Sequence, residues 1–341
     1  MKKKQTALWL IPLILLLLLI PFIVPSSLSS AGAESVDLPV FEPVVLTNPN
    51  PGPVPTEEVE WNNTTRLKAL YAPHADAFTR NEKGLACGYL DGTLYVKIEE
   101  RVIQNTRVIF TWIQIADPSQ FRAQFTAPYP SEGALYATKL AERERAVLTM
   151  NGDYCVGVKS GVVVRNGIEY RRVNSGKFDQ LIVDDEGDFH ILRAPDLSEF
   201  EPYYGHILHS FVFGPGLIIN GELVDIGDGH NYVTNSNFKV KAQRQVLCQM
   251  DTLSYLIITT EGPEKSKGGG FSLYDIAQVA MDCGAKQAYN MDGGSSTWLV
   301  MGTDRISNSN GRNLRRITDI LYFVTAEPAP AAQTEPAAET P

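Results

Sequence analysis

Apolar and polar residues change places at every second position over much of this chain. "GTLYVKIEERV" and "TRVIFTWIQIA" show that period, and the second is rich in β-branched and aromatic residues, so the two read as a pair of strands. "GVVVRNGIEYRRV" predicts a hairpin turning at Asn166-Gly167, because Asn-Gly accepts the left-handed backbone of a tight two-residue turn. "GLIINGELVDI" repeats the device at Asn220-Gly221. "DQLIVDDEGDFHIL" carries two apolar arms on the acidic loop Asp184–Asp188, and "VLCQMDTLSYLIITTEG" supplies two more strands.

Two segments switch to the helical period. Leu273, Ile276, Ala277 and Ala280 recur at i, i+3, i+4 and i+7 behind Ser272. Asp275 stands three residues past Ser272, close to a capping box, and Gly284 suits the left-handed residue after the C-cap. Ser131 is expected to cap a second helix through "EGALYATKLAERER", with Ala134, Ala137 and Ala141 on one face. A short strand with a polar end follows each helix: "AVLTMNGDYC" after the first, "AKQAYNMDGGSS" after the second. This pattern inside a mainly β chain predicts an α+β fold, with a mixed, mostly antiparallel twisted β-sheet core and a few short helices. Strand ends are where open sheets commonly bind their ligands.

The chain's ends break the pattern. Lys2, Lys3 and Lys4 precede an apolar run from Ala7 to Val24, and small residues follow at Ala31-Gly32-Ala33. Residues 1–33 therefore fit a cleaved secretory signal or a retained N-terminal membrane anchor, and on either reading the rest of the chain is exported. Residues 34–60 form a proline-rich linker, with six prolines between Glu34 and Glu58. Residues 327–341, "EPAPAAQTEPAAETP", lack aromatic and branched aliphatic side chains and are expected to be a disordered tail. The folded domain is placed at 61–326.

Composition then narrows the function. The 341 residues are 44% hydrophobic and 20% charged, enough for a sizeable core. Without residues 1–33, 27 basic face 39 acidic residues, a formal −12, which argues against a nucleic-acid partner. Cys87, Cys155, Cys248 and Cys283 are widely spaced, so a zinc site has no support; three disulfide pairings and four buried thiols are all open. G-x-S-x-G, H-E-x-x-H and G-x-G-x-x-G are absent. The acid-rich Asp184–Asp188 and Asp225–Asp228 do not match an EF-hand, and of the histidines only His206 and His209 are loosely paired. No cofactor is identified, and a divalent-cation requirement is left open.

The candidate chemistry sits in the polar clusters. In "YNMDGGSSTWLV", Asp292 follows a strand, and Gly293-Gly294 lets the backbone turn and approach a ligand closely. Ser295 and Ser296 add hydroxyls and successive N–H groups, although the same five residues also read as a plain capped turn. Asn151-Gly152-Asp153 reads equally as a simple turn. Arg244 precedes an apolar strand, and Arg312, Arg315 and Arg316 cluster in "NGRNLRRITDILYFV"; a guanidinium there can fork onto phosphate or carboxylate, or simply pair with a surface acid.

Taken in order, "MNGDYC", "FGPGLIINGELVD", the Arg244 strand, "GFSLYDIAQVAMDCGAKQAYNMDGGSST" and "NGRNLRRITDILYFV" resemble the phosphodiester glycosidase domain. This is the domain of the N-acetylglucosamine-1-phosphodiester α-N-acetylglucosaminidase ("uncovering enzyme") family, with bacterial exported relatives of exopolysaccharide context. The resemblance spans roughly Leu85 to Ala326. It implies hydrolysis of a sugar-1-phosphodiester at the anomeric carbon, on a glycan or sugar-phosphate substrate. On that implication Asp292 is the carboxylate for the sugar side and Asp153 a second acid/base. Arg244 and Arg312 take the phosphate, while Asn151, Gly152, Asn290, Gly293, Gly294, Ser295 and Ser296 shape or bind the substrate. Cys155 departs from the family's usual aromatic residue after "NGDY", which would reshape the pocket wall or serve a disulfide. A glycan-binding or polymer-assembly protein without turnover is the alternative, and a purely structural envelope protein a third.

Overall fold

The alternating segments pair as strands throughout the computed structural model, which describes residues 60–61, 65–66, 70–173, 176–226, 238–262, 269–308 and 314–328. All lie within one unit, Ser35–Pro341. The strands of the first half are β1 (Glu60–Trp61), β2 (Thr65–Arg66), β3 (Phe78–Arg80), β4 (Ala86–Leu90), β5 (Leu94–Ile103), β6 (Thr106–Ile115), β7 (Phe121–Phe125) and β8 (Leu148–Asn151). Then come β9 (Gly161–Arg165), β10 (Ile168–Val173), β11 (Gln180–Asp184), β12 (Phe189–Leu192), β13 (Ile207–Phe211), β14 (Gly216–Ile219) and β15 (Glu222–Leu223). The last are β16 (Gln245–Asp251), β17 (Ser254–Thr260), β18 (Gln287–Asn290), β19 (Leu299–Met301), β20 (Asp304–Arg305) and β21 (Asp319–Phe323). Helices α1 (Ala137–Arg143) and α2 (Leu273–Asp282) complete an α+β fold.

Three large sheets share the core. Their orders are β15-β14-β18-β16-β17-β6-β5-β4-β3, β10-β9-β13-β11-β12 and β20-β19-β8-β21-β7. The expected strand pair, the three expected hairpins and the two further strands all pair antiparallel, with register shifts in β9–β10 and β16–β17. β5 and β6 pair from Leu94↔Ile115 to Ile103↔Thr106, and the turn residues Gln104 and Asn105 take φ of 49° and 57°. Asn166 and Gly167, at 51° and 76°, turn β9 into β10, and Asn220 and Gly221, at 53° and 79°, turn β14 into β15. β6 runs between β5 and β17, so nearly every residue of it is buried, and its alternation is correspondingly weak. Phe121, Phe189, Tyr255 and Phe323 pack where the sheets meet, the first and last stacked with centroids 4.9 Å apart. Burying such a ring or a leucine contributes roughly 1.5–3 kcal/mol.

Helix α2 is built as its sequence predicts. Ser272 Oγ accepts from Asp275 N at 3.1 Å, and the Asp275 carboxylate accepts from Ser272 N at 3.0 Å. Leu273, Ile276, Ala277 and Ala280 are buried, and Gly284 (φ 80°) donates its N–H to the Met281 carbonyl. Helix α1 differs from expectation. Leu135 bridges Ile317 as extended chain, so the helix cannot start at Ser131; it begins after Tyr136, and no side chain caps it.

Further expectations resolve by position. All four cysteines are unpaired thiols, with Cys155 and Cys248 buried. His206 faces Asp185 at the surface while His209 is buried, so the two do not form a metal pair. Segments 1–33 and 34–59 and the tail beyond Pro328 lie outside the described residues. Glu327 is described, and its carboxylate accepts the Gly92 N–H. Among the described residues no helix is long and apolar enough to cross a membrane.

Candidate active site

Three strand ends meet at one cavity of about 220 Å³. β8 ends at Asn151, β18 runs into Asp292, and β21 begins at Asp319. β8 lies between β19 and β21, with Met150 opposite Leu299 and Asn151 opposite Ile320, which fixes the first and third ends side by side. Asn151 ties in the second. Its Nδ2 donates to the Asp292 carbonyl at 2.7 Å, and its Oδ1 accepts from Trp298 N at 3.0 Å. Gly152 is required here, because a Cβ would overlap the Asp319 carboxylate. The wall is completed by Tyr154, Ser296, Arg315, Arg316, Thr318 and the loop residues Glu132 and Ala134.

Asp292 is 9% exposed and its carboxyl pKa is raised, first by burial, while Ser296 and Arg315 favour the anion. Arg315 Nη2 pairs with Asp292 Oδ2 at 2.9 Å, and its Nε donates to Ser296 Oγ. The Arg315 backbone is fixed as well: its N–H donates to Ser295 O, and its carbonyl accepts from Trp298 Nε1. Arg316 lies over the Tyr136 ring, 5.4 Å from the centroid. The cavity thus presents one half-buried ion pair, with Arg316 also on its wall.

Behind the wall is a fully buried charge cluster. Arg165 is 1% exposed; its Nη2 reaches Asp153 Oδ1 at 2.7 Å, Asp319 Oδ2 at 3.6 Å and Cys155 Sγ at 3.4 Å. Asp153 also accepts from Val212 N at 2.7 Å and Cys155 N at 3.1 Å. Asp319 accepts from the Asp153 and Tyr154 N–H groups and from the Thr318 hydroxyl. Two carboxyls therefore face one guanidinium, with Asp153 and Arg165 sealed from water and Asp319, almost fully buried, also lining the cavity. Despite its burial, the Arg165 charge and the N–H donors hold Asp153 below the usual carboxylate range. Burial and the Asp153 charge push Asp319 up to about 7, so Asp319 keeps the proton. Asp153, Cys155 and Asp319 have the spacing of metal donors. The Arg165 guanidinium already stands among all three, so a cation there would have to displace a buried positive charge.

The sequence-predicted residues divide by position. Asn151, Gly152, Asp292 and Ser296 line the cavity together. Gly293 packs on the Gln243 carbonyl, where a Cβ would come within 2.8 Å, and Gly294 donates its N–H to the same oxygen. Ser295 gives its carbonyl to Arg315. Asp153 lies one layer behind the wall. Asn290 turns away, its Nδ2 donating to Gly214 O at 2.7 Å. Arg244 is held elsewhere, its Nε on Phe271 O and its Nη2 on Val240 O, and it does not line the cavity. Arg312 lies outside the described residues. Asp319, Tyr154 and Arg165 were missed. Asp319 is one acid opening an apolar strand, and Arg165 hides in a hairpin arm. Only the carboxylate before "ILYF" offered a signal.

Comparison with known proteins settles the family. A family model described as phosphodiester glycosidase matches residues 144–324, more than half of the chain, and takes in all three strand ends. This chain belongs to the phosphodiester glycosidase family. No curated protein matches it. Among solved structures it is similar to the zebrafish N-acetylglucosamine-1-phosphodiester α-N-acetylglucosaminidase catalytic domain, auto-inhibited by its pro-peptide, with 14% identity and a TM-score of 0.54. That likeness covers 75% of this chain and 86% of the other, and it concerns the fold. A hypothetical protein from Synechocystis matches at 14% identity and a TM-score of 0.47, over 68% of this chain and 62% of its own. An exported protein of Burkholderia pseudomallei, so described provisionally, matches at 12% and 0.44, over 65% and 75%. Asp292, Arg315 and Asp319 all fall within the residues matched by the phosphodiester glycosidase model.

Proposed function

We propose that this protein hydrolyses a glycosyl phosphodiester at its anomeric carbon. The observation that carries the reading is the Asp292–Arg315 ion pair in a cavity that also holds Arg316 and the protonated Asp319. Family membership supports the same chemistry.

The phosphodiester anion is drawn to Arg315 and Arg316, whose guanidiniums fork onto phosphate oxygens. A phosphomonoester is a good leaving group, so the C1–O bond needs little acid assistance. The electron pair of that bond leaves with the phosphate, and positive charge develops on the sugar ring. Asp292, ionised beside Arg315, stabilises that charge and receives the proton of the water that attacks C1. Asp319, holding its proton, donates it to the Asp153 carboxylate and so stays neutral toward the anionic substrate. Asp153 and Arg165 act through Asp319 as positioning residues. This assigns to Asp319 the second carboxyl role expected of Asp153, and to Arg315 and Arg316 the phosphate role expected of Arg244 and Arg312. The basic and apolar character of residues 1–33 supports action outside the cytoplasm, on cell-surface or extracellular glycans.

The test offers the purified protein a panel of sugar-1-phosphodiesters and follows release of sugar and phosphomonoester. Wild type is expected to release both and Asp292→Asn to bind without release. A wild type that binds the panel but releases nothing would instead be a non-catalytic glycan binder.

A further inference from the structure

Tyr154 is held in a left-handed backbone conformation at the cavity. Its φ is 59°, in the left-handed region that a bulky side chain rarely adopts. Eight non-glycine residues among the described ones share a positive φ, and three of them are asparagine. Tyr154 alone of the eight lines the cavity. The strain is enforced from two sides. Tyr154 N donates to Asp319 Oδ1 at 3.2 Å, and Tyr154 O accepts from Gly157 N at 3.0 Å. Gly157 also makes room for the ring, since a Cβ there would overlap ring atoms and the phenolic oxygen. Tyr154 is 38% exposed, with the Arg315 guanidinium over its ring, 5.5 Å from the centroid.

A strained backbone, a neighbour reduced to glycine and an exposed ring beside the ion pair all serve one outcome, an aromatic surface at the mouth of the cavity. Packing does not account for it, because a core ring would be covered. Anchoring Arg315 does not account for it either. That side chain is already fixed by Asp292, Ser296 and two backbone bonds. Aromatic faces of this kind offer area to the C–H groups of a sugar ring, a contact that phosphate does not use.

We propose that Tyr154 is the sugar platform of the site, stacking on the pyranose whose anomeric phosphate is bound by Arg315 and Arg316. The inference rests on the glycosyl phosphodiester reading and deepens it: sugar and phosphate are recognised by separate groups, and the substrate presents an apolar pyranose face to Tyr154.

The experiment measures binding by calorimetry with two probes, a methyl hexose-1-phosphodiester and dimethyl phosphate, which lacks the sugar. Tyr154→Gly removes the ring and relieves the left-handed strain, so its melting temperature should equal or exceed that of wild type. It should bind the sugar diester about tenfold more weakly and dimethyl phosphate as wild type does. Tyr154→Phe, which keeps the ring, should restore most of the lost affinity. Gly157→Ala, which crowds the ring from behind, should weaken only the sugar diester. Equal losses for both probes, or none in Tyr154→Gly, would overturn the platform, as would a wild type that does not bind the sugar diester. Ring-dependent binding without sugar release would sink hydrolysis and leave the platform standing.

Discussion

At the scale of single residues, the account depends on where charge sits around Asp292 and Asp319. Asp292→Asn keeps the shape and removes the charge that faces Arg315. Turnover should fall about 10²- to 10⁴-fold with little change in melting temperature, as initial rates and thermal unfolding together would show. Asp319 has a folded pKa raised to about 7, so it is neutral below that pH and ionises as pH rises through it. A new negative charge beside Asp153 then opposes an anionic substrate. The ratio kcat/KM should fall above pH 7 in wild type, and Asp319→Asn should lose that limb. A profile unchanged by Asp319→Asn would remove Asp319 from the mechanism. Asp292 was legible in sequence because one acid, two glycines and two serines are a poor way to fill a core between "YNM" and "TWLV". Asp319 was not, because a single acid at the head of "ILYFV" looks like a strand boundary, and its meaning comes from contacts with residues 153, 154 and 165.

At the scale of elements, β13 carries a buried titratable group unrelated to the cavity. His209 Nε2 donates to Phe121 O at 3.0 Å, while Nδ1 accepts from Asn166 N at 3.2 Å, so the ring is neutral and bridges β7 to the β9–β10 turn. Burial lowers its pKa to about 3, against about 6.5 unfolded. A depressed folded pKa means stability that is present above the unfolded value and lost as pH falls. Unfolding free energy should therefore decline between about pH 6.5 and 3, and His209→Gln should flatten that slope in urea titrations at several pH values. The cap of α2 gives a simpler case: Ser272→Ala should cost about 1 kcal/mol in the same assay. Elements with local signals were readable. Asn-Gly turns, the acidic loop, the capping box and alternation identified three hairpins, a strand pair and α2. The start of α1 was not readable, because it is set by Leu135 pairing with Ile317, distant in the chain. No local pattern announces such a contact.

At the scale of the whole molecule, three sheets converge so that β8, β18 and β21 bring their polar ends to one cavity, and the buried Arg165 joins the second sheet to that meeting point. Its guanidinium comes from β9, while of its carboxylate partners Asp319 lines the cavity and Asp153 lies behind it. Arg165→Met removes the countercharge and leaves Asp153 buried without it. The variant should lose about 3–5 kcal/mol in denaturant unfolding, and a loss below about 1 kcal/mol would show that the cluster does not organise the site. The central claim concerns which bond breaks, and an isotope decides it most directly. Hydrolysis of a sugar-1-phosphodiester should be run in heavy-oxygen water and the products weighed by mass spectrometry. Attack at the anomeric carbon by water, assisted by Asp292, places the label in the released sugar and leaves the phosphomonoester unlabelled. Label in the phosphomonoester would mean cleavage at phosphorus, and would contradict the account.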